Sequence, residues 1–430
     1  MARSGAAAVR LLLSEGARVI PVDEKQTGEV EALGIQPQTS AVLESASLIV
    51  VSPGVPADAE VLNEARTRGI PVIGEVELAS HFLQGPIIGI TGSNGKTTTT
   101  ALTGHILEHC GIPSQVGGNI GLPPTAMVAT SQSGKWNVLE LSSFQLETIE
   151  TFHAHIGLAM NVTDNHLDRH YTFAKYAAAK ARLFANQTPE DYAILNADDV
   201  TTVGYARLTR ARALWFSSTR SVPEGAWVQG PRIVVNGEPL MDLSSIPLKG
   251  RHNQENVMAA SLAATLAGAS LPRIADAIGT FPGVEHRLEY VRTLNGVAYY
   301  NDSKATSVDA ALKAIDAFPG GLWIILGGKD KHSDYTVLRE PLRAKARGAL
   351  LIGAAAPLIA DALHGFVSLD RPDTLDAAVH LAARLAQPGD TVLLAPACAS
   401  FDQFQSFEHR GTAFKNLVAS LNPEGPWHNA

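Results

Sequence analysis

The chain has 430 residues, 45% of them apolar and 18% charged, which excludes intrinsic disorder and leaves room for two to three domains with separate cores. A formal net charge of −8 argues against a broad nucleic-acid-binding surface. Two cysteines, Cys110 and Cys398, cannot build a disulfide framework or a zinc cluster. With no apolar run of membrane-span length and a poor signal peptide at the start, they point to a cytoplasmic protein.

The first segment, 1–75, opens with an amphipathic helix over about 5–15. Strands come next at Val19–Val22, ending at Asp23, at Leu48–Val51, ending in Ser52-Pro53-Gly54, and at Val72-Ile73. This is the βαβ rhythm of a nucleotide-binding sheet, yet no strand precedes the first helix. The first strand of such a sheet is central, so the expectation is a shortened sequence or a start codon placed too late.

The second segment, 76–283, carries the most informative motif. The apolar run Pro86-Ile87-Ile88-Gly89-Ile90 leads directly into Thr91-Gly92-Ser93-Asn94-Gly95-Lys96-Thr97-Thr98. A strand, a glycine-rich turn, Lys-Thr and then a helix form a cradle for the phosphates of ATP. Lys96 can reach the β/γ-phosphates, and the Thr97 hydroxyl can hold Mg²⁺. The position that holds the first glycine in the strict phosphate-loop pattern is Ile90 here, which separates this chain from ordinary kinases and GTPases. Two more strands end in polar groups: Val138-Leu139 in Glu140, and Ile156–Val162 in Thr163-Asp164-Asn165-His166. Lys96, Glu140 and His166 thus fall at or just past strand C-termini, the edge where parallel sheets bind ligands. The Gly-, Pro- and Ser-rich stretch 190–250 reads as a small β-rich insertion or flank without chemistry.

The third segment, 284–430, has strands at Val297–Tyr300, Leu322–Leu326, Ala349–Ile352 and Thr391–Ala395, with helical stretches such as 373–386 between them. Three polar loops come after strands here: 301–306, 327–331 and 395–400. Their shared sheet edge suits an anionic substrate.

Residue by residue, the bland readings compete. Glu140 alone reads most readily as a surface glutamate, and the phosphate loop tips it toward Mg²⁺. The run 161–170 packs two Asp, two His and one Arg into ten positions, against which stands a solvated turn with helix caps. Lys180, in Ala177-Ala178-Ala179-Lys180-Ala181, reads by itself as a solvent-facing lysine.

The phosphate loop, Gly117-Gly118-Asn119-Ile120-Gly121, the stretch Leu139–Glu147, Asn301-Asp302-Ser303-Lys304-Ala305-Thr306 and Pro396–Phe404 together resemble the Mur ligases of peptidoglycan synthesis. The resemblance runs from end to end except for the first strand. It implies an α/β protein of three domains. These are a Rossmann-like UDP-sugar-binding domain (1–75, first strand missing), a central P-loop-type ATPase sheet (76–283) and a Rossmann-like amino-acid-binding domain (284–430). It further implies an ATP- and Mg²⁺-dependent ligation of D-glutamate to UDP-N-acetylmuramoyl-L-alanine through an acyl phosphate. The expected protein is a monomer that binds no nucleic acid and inserts into no membrane.

By the same resemblance, Gly92, Ser93, Asn94, Gly95, Lys96, Thr97, Thr98, Asn256, Arg287 and Asp302 contact ATP. Thr97, Glu140, His166 and Lys180 serve Mg²⁺, with Lys180 carbamylated and Lys96, His166 and Lys180 catalytic. Ser4, Ser52 and Asn119 meet the UDP-sugar, and Thr306, Lys331, Ser400 and Phe407 meet D-glutamate. Spacing favours Lys331 over Lys329 in the last role. The rivals are a sister ligase adding another amino acid, including L-glutamate, and a non-catalytic nucleotide-binding relic. The Asp-Asn-Pro-Arg motif of the diaminopimelate-adding sister is absent from the sequence.

Overall fold

The computed structural model describes residues 3–24, 31–248, 250–331 and 333–422, without the side chains of Leu167 and Asp168. It divides into two compact units, one of 1–247 with 252–281, the other of 248–251 with 282–430.

In the first unit the amphipathic helix Arg3–Ser14 buries Ala6, Ala7, Ala8, Val9 and Leu11. The expected strand at Val19–Val22 does not form. Val22 makes only an isolated parallel bridge to Gln36, because Pro21 offers its carbonyl and has no N–H for a ladder. Strands β1 (Ile49–Val51) and β2 (Val72–Gly74) pair in parallel as a two-stranded sheet. The helix Glu75–Ser80 then joins this part to the main sheet. The Glu77 carboxylate accepts from the N–H groups of Glu150, Thr151 and Phe152, and Glu75 accepts from the Thr125 N–H and the Thr125 hydroxyl.

The main sheet has nine strands in the order β11-β10-β9-β8-β7-β6-β3-β5-β4. They are β3 (Ile87–Thr91), β4 (Ser114–Gly118), β5 (Trp136–Glu140), β6 (Ile156–Ala159), β7 (Tyr192–Asn196), β8 (Arg212–Ser217), β9 (Gly225–Gln229), β10 (Arg232–Val235) and β11 (Glu238–Asp242). From β4 through β9 all pairings are parallel, and only β10 and β11 are antiparallel. The stretch 190–250 is therefore a flank that continues the main sheet to its edge, and not an insertion. Its parallel strands β7 and β8 bury Ile194, Leu195, Leu214 and Phe216, so short apolar runs sufficed to extend the ladder. β3 lies between β5 and β6, so the chain winds in opposite directions from it. That makes its C-terminal end a topological switch point, where doubly wound sheets open a crevice for ligands.

The second unit holds a six-stranded sheet, β12-β13-β17-β14-β15-β16. Its strands are β12 (Glu289–Leu294), β13 (Val297–Asn301), β14 (Leu322–Gly327), β15 (Ala346–Ile352), β16 (Leu369–Asp373) and β17 (Thr391–Leu394). Only β12 and β13 pair antiparallel. The three polar loops of this segment leave the adjacent strands β13, β17 and β14 at one edge. Helices such as Leu375–Leu385 cover the faces, burying Leu375, Ala378, Val379 and Ala382 against β14, β15 and β17.

Candidate functional site

β3 is buried along its whole length, as its unbroken apolar run requires, and it delivers the chain into a tight turn. Gly92 and Gly95 take φ of +148° and +85°, which favour glycine. A Cβ at Gly95 would lie 2.5 Å from Asn256 Oδ1, so the turn packs too closely for any side chain. Gly95 caps the helix Lys96–His109, whose N-terminus favours an anion. The turn is braced from β6: Ser93 N–H donates to Asn161 O (2.8 Å) and Asn94 N–H to Asn161 Oδ1 (2.9 Å). Two of the turn's N–H groups are thus spent inside the protein, and the anion-binding face is the helix end.

Two amines converge on one carbonyl of this turn. Lys96 Nζ donates to Gly92 O (2.9 Å) and Ser93 O (3.1 Å), and Lys180 Nζ donates to Gly92 O (2.8 Å). Lys180 is no solvent lysine: it is 1% exposed, on the inner face of the helix Phe173–Ala181. Burial pushes its pKa well down, the Lys96 ammonium adds to that, and the Glu140 carboxylate opposes it. The ring of Tyr176, one helical turn earlier, lies under the Lys180 amine, and the Tyr176 hydroxyl meets Ser93 Oγ at 2.9 Å.

Glu140, at the end of β5, is 1% exposed. Its Oε1 accepts from Asn119 Nδ2 (2.8 Å), while its Oε2 is buried and has no hydrogen-bond partner. An orphaned carboxylate oxygen in a buried place is costly, and a cation is the partner that would relieve it. Thr97, also buried, stands at the first turn of the helix that begins at Lys96. Among the described residues no three His, Cys, Asp or Glu side chains cluster as metal ligands. The donors available here are instead Glu140, the Thr97 hydroxyl and Lys180.

His166 lies at the rim, exposed, with φ +54° and its ring edge against Phe144 (4.9 Å). Its neighbour His170 is buried. It meets Ser143 Oγ through Nε2 (2.9 Å) and Glu147 through Nδ1 (3.1 Å), and stacks on Phe144. Arg169 reaches from the same turn to the carbonyls of Val55 (2.7 Å) and Gly54 (3.3 Å), so the loop after Ser52 is fastened to the segment bearing His166. Ser4 sits in the first turn of the opening helix, and Ser52 at the end of β1. Asn119 is engaged by Glu140 through both backbone and side chain, which the sequence did not reveal. Asn256 is buried, its amide turned to Thr99 (3.2 Å) and Asn253 (2.8 Å) beneath Gly95. Thr98 is likewise buried.

In the second unit Asp302 comes just after β13 and is buried. Burial raises its carboxyl to about 6, against the pull of the Arg287 guanidinium and the Leu288 N–H. Thr306 and Lys331 come together, with Lys331 Nζ 3.5 Å from Thr306 O. Lys329 instead spends its backbone on a bridge to Ala399. Ser400 is buried, and Phe407 opens the helix Phe407–Ser420 with the Lys304 amine 5.9 Å from its ring centre. Arg410, 1% exposed, donates to Ser303 O, Ser303 Oγ and Cys398 O and ties two of the loops together. Asn161, Tyr176 and Arg410 escaped the sequence reading. The i,i+4 spacing of Tyr176 and Lys180 was the one signal that could have found any of them.

Residues 90–264 match the model of the Mur ligase middle domain, and residues 286–398 that of the Mur ligase glutamate ligase domain. The chain is 60% identical to a UDP-N-acetylmuramoylalanine–D-glutamate ligase of Solibacter usitatus, over 99% of this chain and 97% of the relative. It is 50% identical to the protein of that name from Acidobacterium capsulatum, over 100% and 97%. Among solved structures, UDP-N-acetylmuramate–alanine ligase from Thermotoga maritima superposes with a TM-score of 0.62 at 17% identity, covering 97% of both chains. A pseudomurein peptide ligase from Methanothermus fervidus does so with 0.63 at 16%, covering 98% of both. At such identities these two likenesses concern the fold.

Proposed function

The chain belongs to the Mur ligase family, and on that footing we propose that it is an ATP-dependent ligase joining D-glutamate to UDP-N-acetylmuramoyl-L-alanine in peptidoglycan precursor synthesis. The observation that carries the chemistry is the meeting of Lys96, Lys180 and Glu140 around the turn after β3.

A carboxylate is a poor electrophile. Transfer of the γ-phosphoryl group of ATP to the L-alanine carboxylate gives an acyl phosphate with a good leaving group. The amine of D-glutamate attacks the carbonyl carbon. That attack forms the C–N bond and releases a proton, and the tetrahedral intermediate then breaks the C–O bond and expels phosphate. Lys96, at the helix N-terminus, holds the negative charge of the moving phosphoryl group.

The residues present fit Mg²⁺. The orphaned Glu140 Oε2, the Thr97 hydroxyl, His166 and a carbamylated Lys180 would hold it. Bound there, the ion supplies charge neutralisation to the phosphates. Lys180 supports its own modification: burial favours the neutral amine, which attacks CO₂, forms a C–N bond and loses a proton. The resulting carbamate offers oxygen ligands where an ammonium would repel a cation.

Asn256, Arg287 and Asp302 serve ATP, with Asn256 acting from behind the turn. Ser4, Ser52 and Asn119 serve the UDP-sugar. Thr306, Lys331, Ser400 and Phe407 serve D-glutamate, whose two carboxylates call for a cation and hydroxyl donors. The enzyme works as a monomer in the cytoplasm, where ATP and UDP-linked sugars are found. Among the described residues no helix is long and apolar enough to cross a membrane.

The test is ADP release with each substrate omitted in turn. Release that needs both UDP-N-acetylmuramoyl-L-alanine and D-glutamate supports the reading. Turnover without either, or equal turnover with L-glutamate, overturns it.

A further inference from the structure

In the second unit the loops after β13, β17 and β14 are first joined by main chain. Ala397 N–H donates to Ala305 O (2.9 Å), Gly327 N–H to Pro396 O (2.8 Å), and Lys329 and Ala399 exchange both backbone hydrogen bonds (2.9 and 3.1 Å). This pairing stops at Lys329. Lys331, two residues further and exposed, needs another support to stay beside Thr306.

A line of side chains continues where the backbone stops. Asp330 Oδ1 accepts from the Tyr335 hydroxyl (2.7 Å) and from Ser333 N–H (3.3 Å). The Tyr335 oxygen lies 3.0 Å from Cys398 Sγ, on the loop that leads to Ser400. A phenol has one proton to give, and the carboxylate is the stronger acceptor. Cys398 S–H therefore donates to the phenol oxygen. Tyr335 is 4% exposed and Cys398 1%, so water cannot take over the bond between them. Burial pushes the Cys398 thiol up to about 11 and the Tyr335 phenol well up. Both stay protonated at neutral pH, and the line keeps its direction.

We propose that Tyr335 is a positioning residue for the incoming amino acid. Its hydroxyl, held between Asp330 and Cys398, sets the loop bearing Lys331 at a fixed distance from the loop bearing Ser400. The proposal rests on the assignment of these loops to the amino-acid substrate. An ammonium and a hydroxyl held at a fixed spacing recognise a dicarboxylic amino acid without a fresh ordering cost at each binding event.

The test is steady-state kinetics of Tyr335→Phe, which keeps the ring in the core it shares with Leu338 and Leu342. The expected result is a rise of about tenfold in KM for D-glutamate, with kcat and the KM values for ATP and the UDP-sugar within about twofold of wild type. Asp330→Asn should move the same KM. An unaltered D-glutamate KM in Tyr335→Phe overturns the proposal, and so do three KM values rising together with a lowered melting temperature. If the wild type uses a different amino acid, the comparison is made with that one, so this proposal and the assigned substrate fail separately.

Discussion

Asp302→Asn is expected to stabilise the second unit while removing the nucleotide contact proposed for Asp302. The Asp302 carboxyl sits at about 6 instead of the ordinary 3.8, because burial disfavours the anion more than Arg287 and the Leu288 N–H favour it. A raised folded-state value means that folding is helped while the group is protonated. That help is complete below the unfolded value and is lost as pH rises through the folded one. At ~1.4 kcal/mol per tenfold change in proton affinity, the penalty is about 3 kcal/mol at pH 8 and about 1 kcal/mol at pH 4.5. Asparagine has nearly the same shape, can still accept from Leu288 and has no charge to desolvate. The variant should therefore exceed the wild type by about those amounts at the two pH values. Amide exchange of β13 and β17, compared between the two proteins at matched pH, reads this unit directly. An equal difference at both pH values, or a wild type more stable at pH 8, would refute the reasoning. In the same variant the KM for ATP should rise about tenfold.

Three further substitutions bear on the first unit. Gly95→Ala meets Asn256 Oδ1 at 2.5 Å in a backbone conformation that disfavours side chains, so thermal unfolding should show a loss of about 1–3 kcal/mol. Glu140→Gln removes a charge whose Oε2 is buried and unpartnered; folding stability should hold or rise, while ADP release falls on the order of a hundredfold or more. Lys180→Arg cannot be carbamylated; it should be inactive and lack the carbamate signal that labelled bicarbonate is expected to give in the wild type by NMR.

The turn after β3 was legible because its signal is local: a continuous apolar run fixes a buried strand, and glycines before Lys-Thr fix the turn and the start of the next helix. The helix Arg3–Ser14 and strands such as β5, β14 and β17 were legible for the same reason. Where Pro21 broke the ladder, the apolar Val19–Val22 run misled. At 190–250 polar turns between short strands concealed a continuous sheet. Lys180 shows the deeper limit. An alanine-flanked lysine carries no mark of its burial, which comes from a turn eighty-eight positions away whose Gly92 carbonyl accepts its amine. Tyr335 and Cys398 lie sixty-three positions apart and meet only because β14 and β17 are neighbours.

The most direct measurement tracks one oxygen atom. UDP-N-acetylmuramoyl-L-alanine labelled with heavy oxygen in the alanine carboxylate is turned over with ATP and D-glutamate, and the released phosphate is analysed by mass spectrometry. An acyl-phosphate route leaves one labelled oxygen in the phosphate for each amide formed. Unlabelled phosphate alongside amide product, or labelled phosphate released at full rate without D-glutamate, would contradict the account.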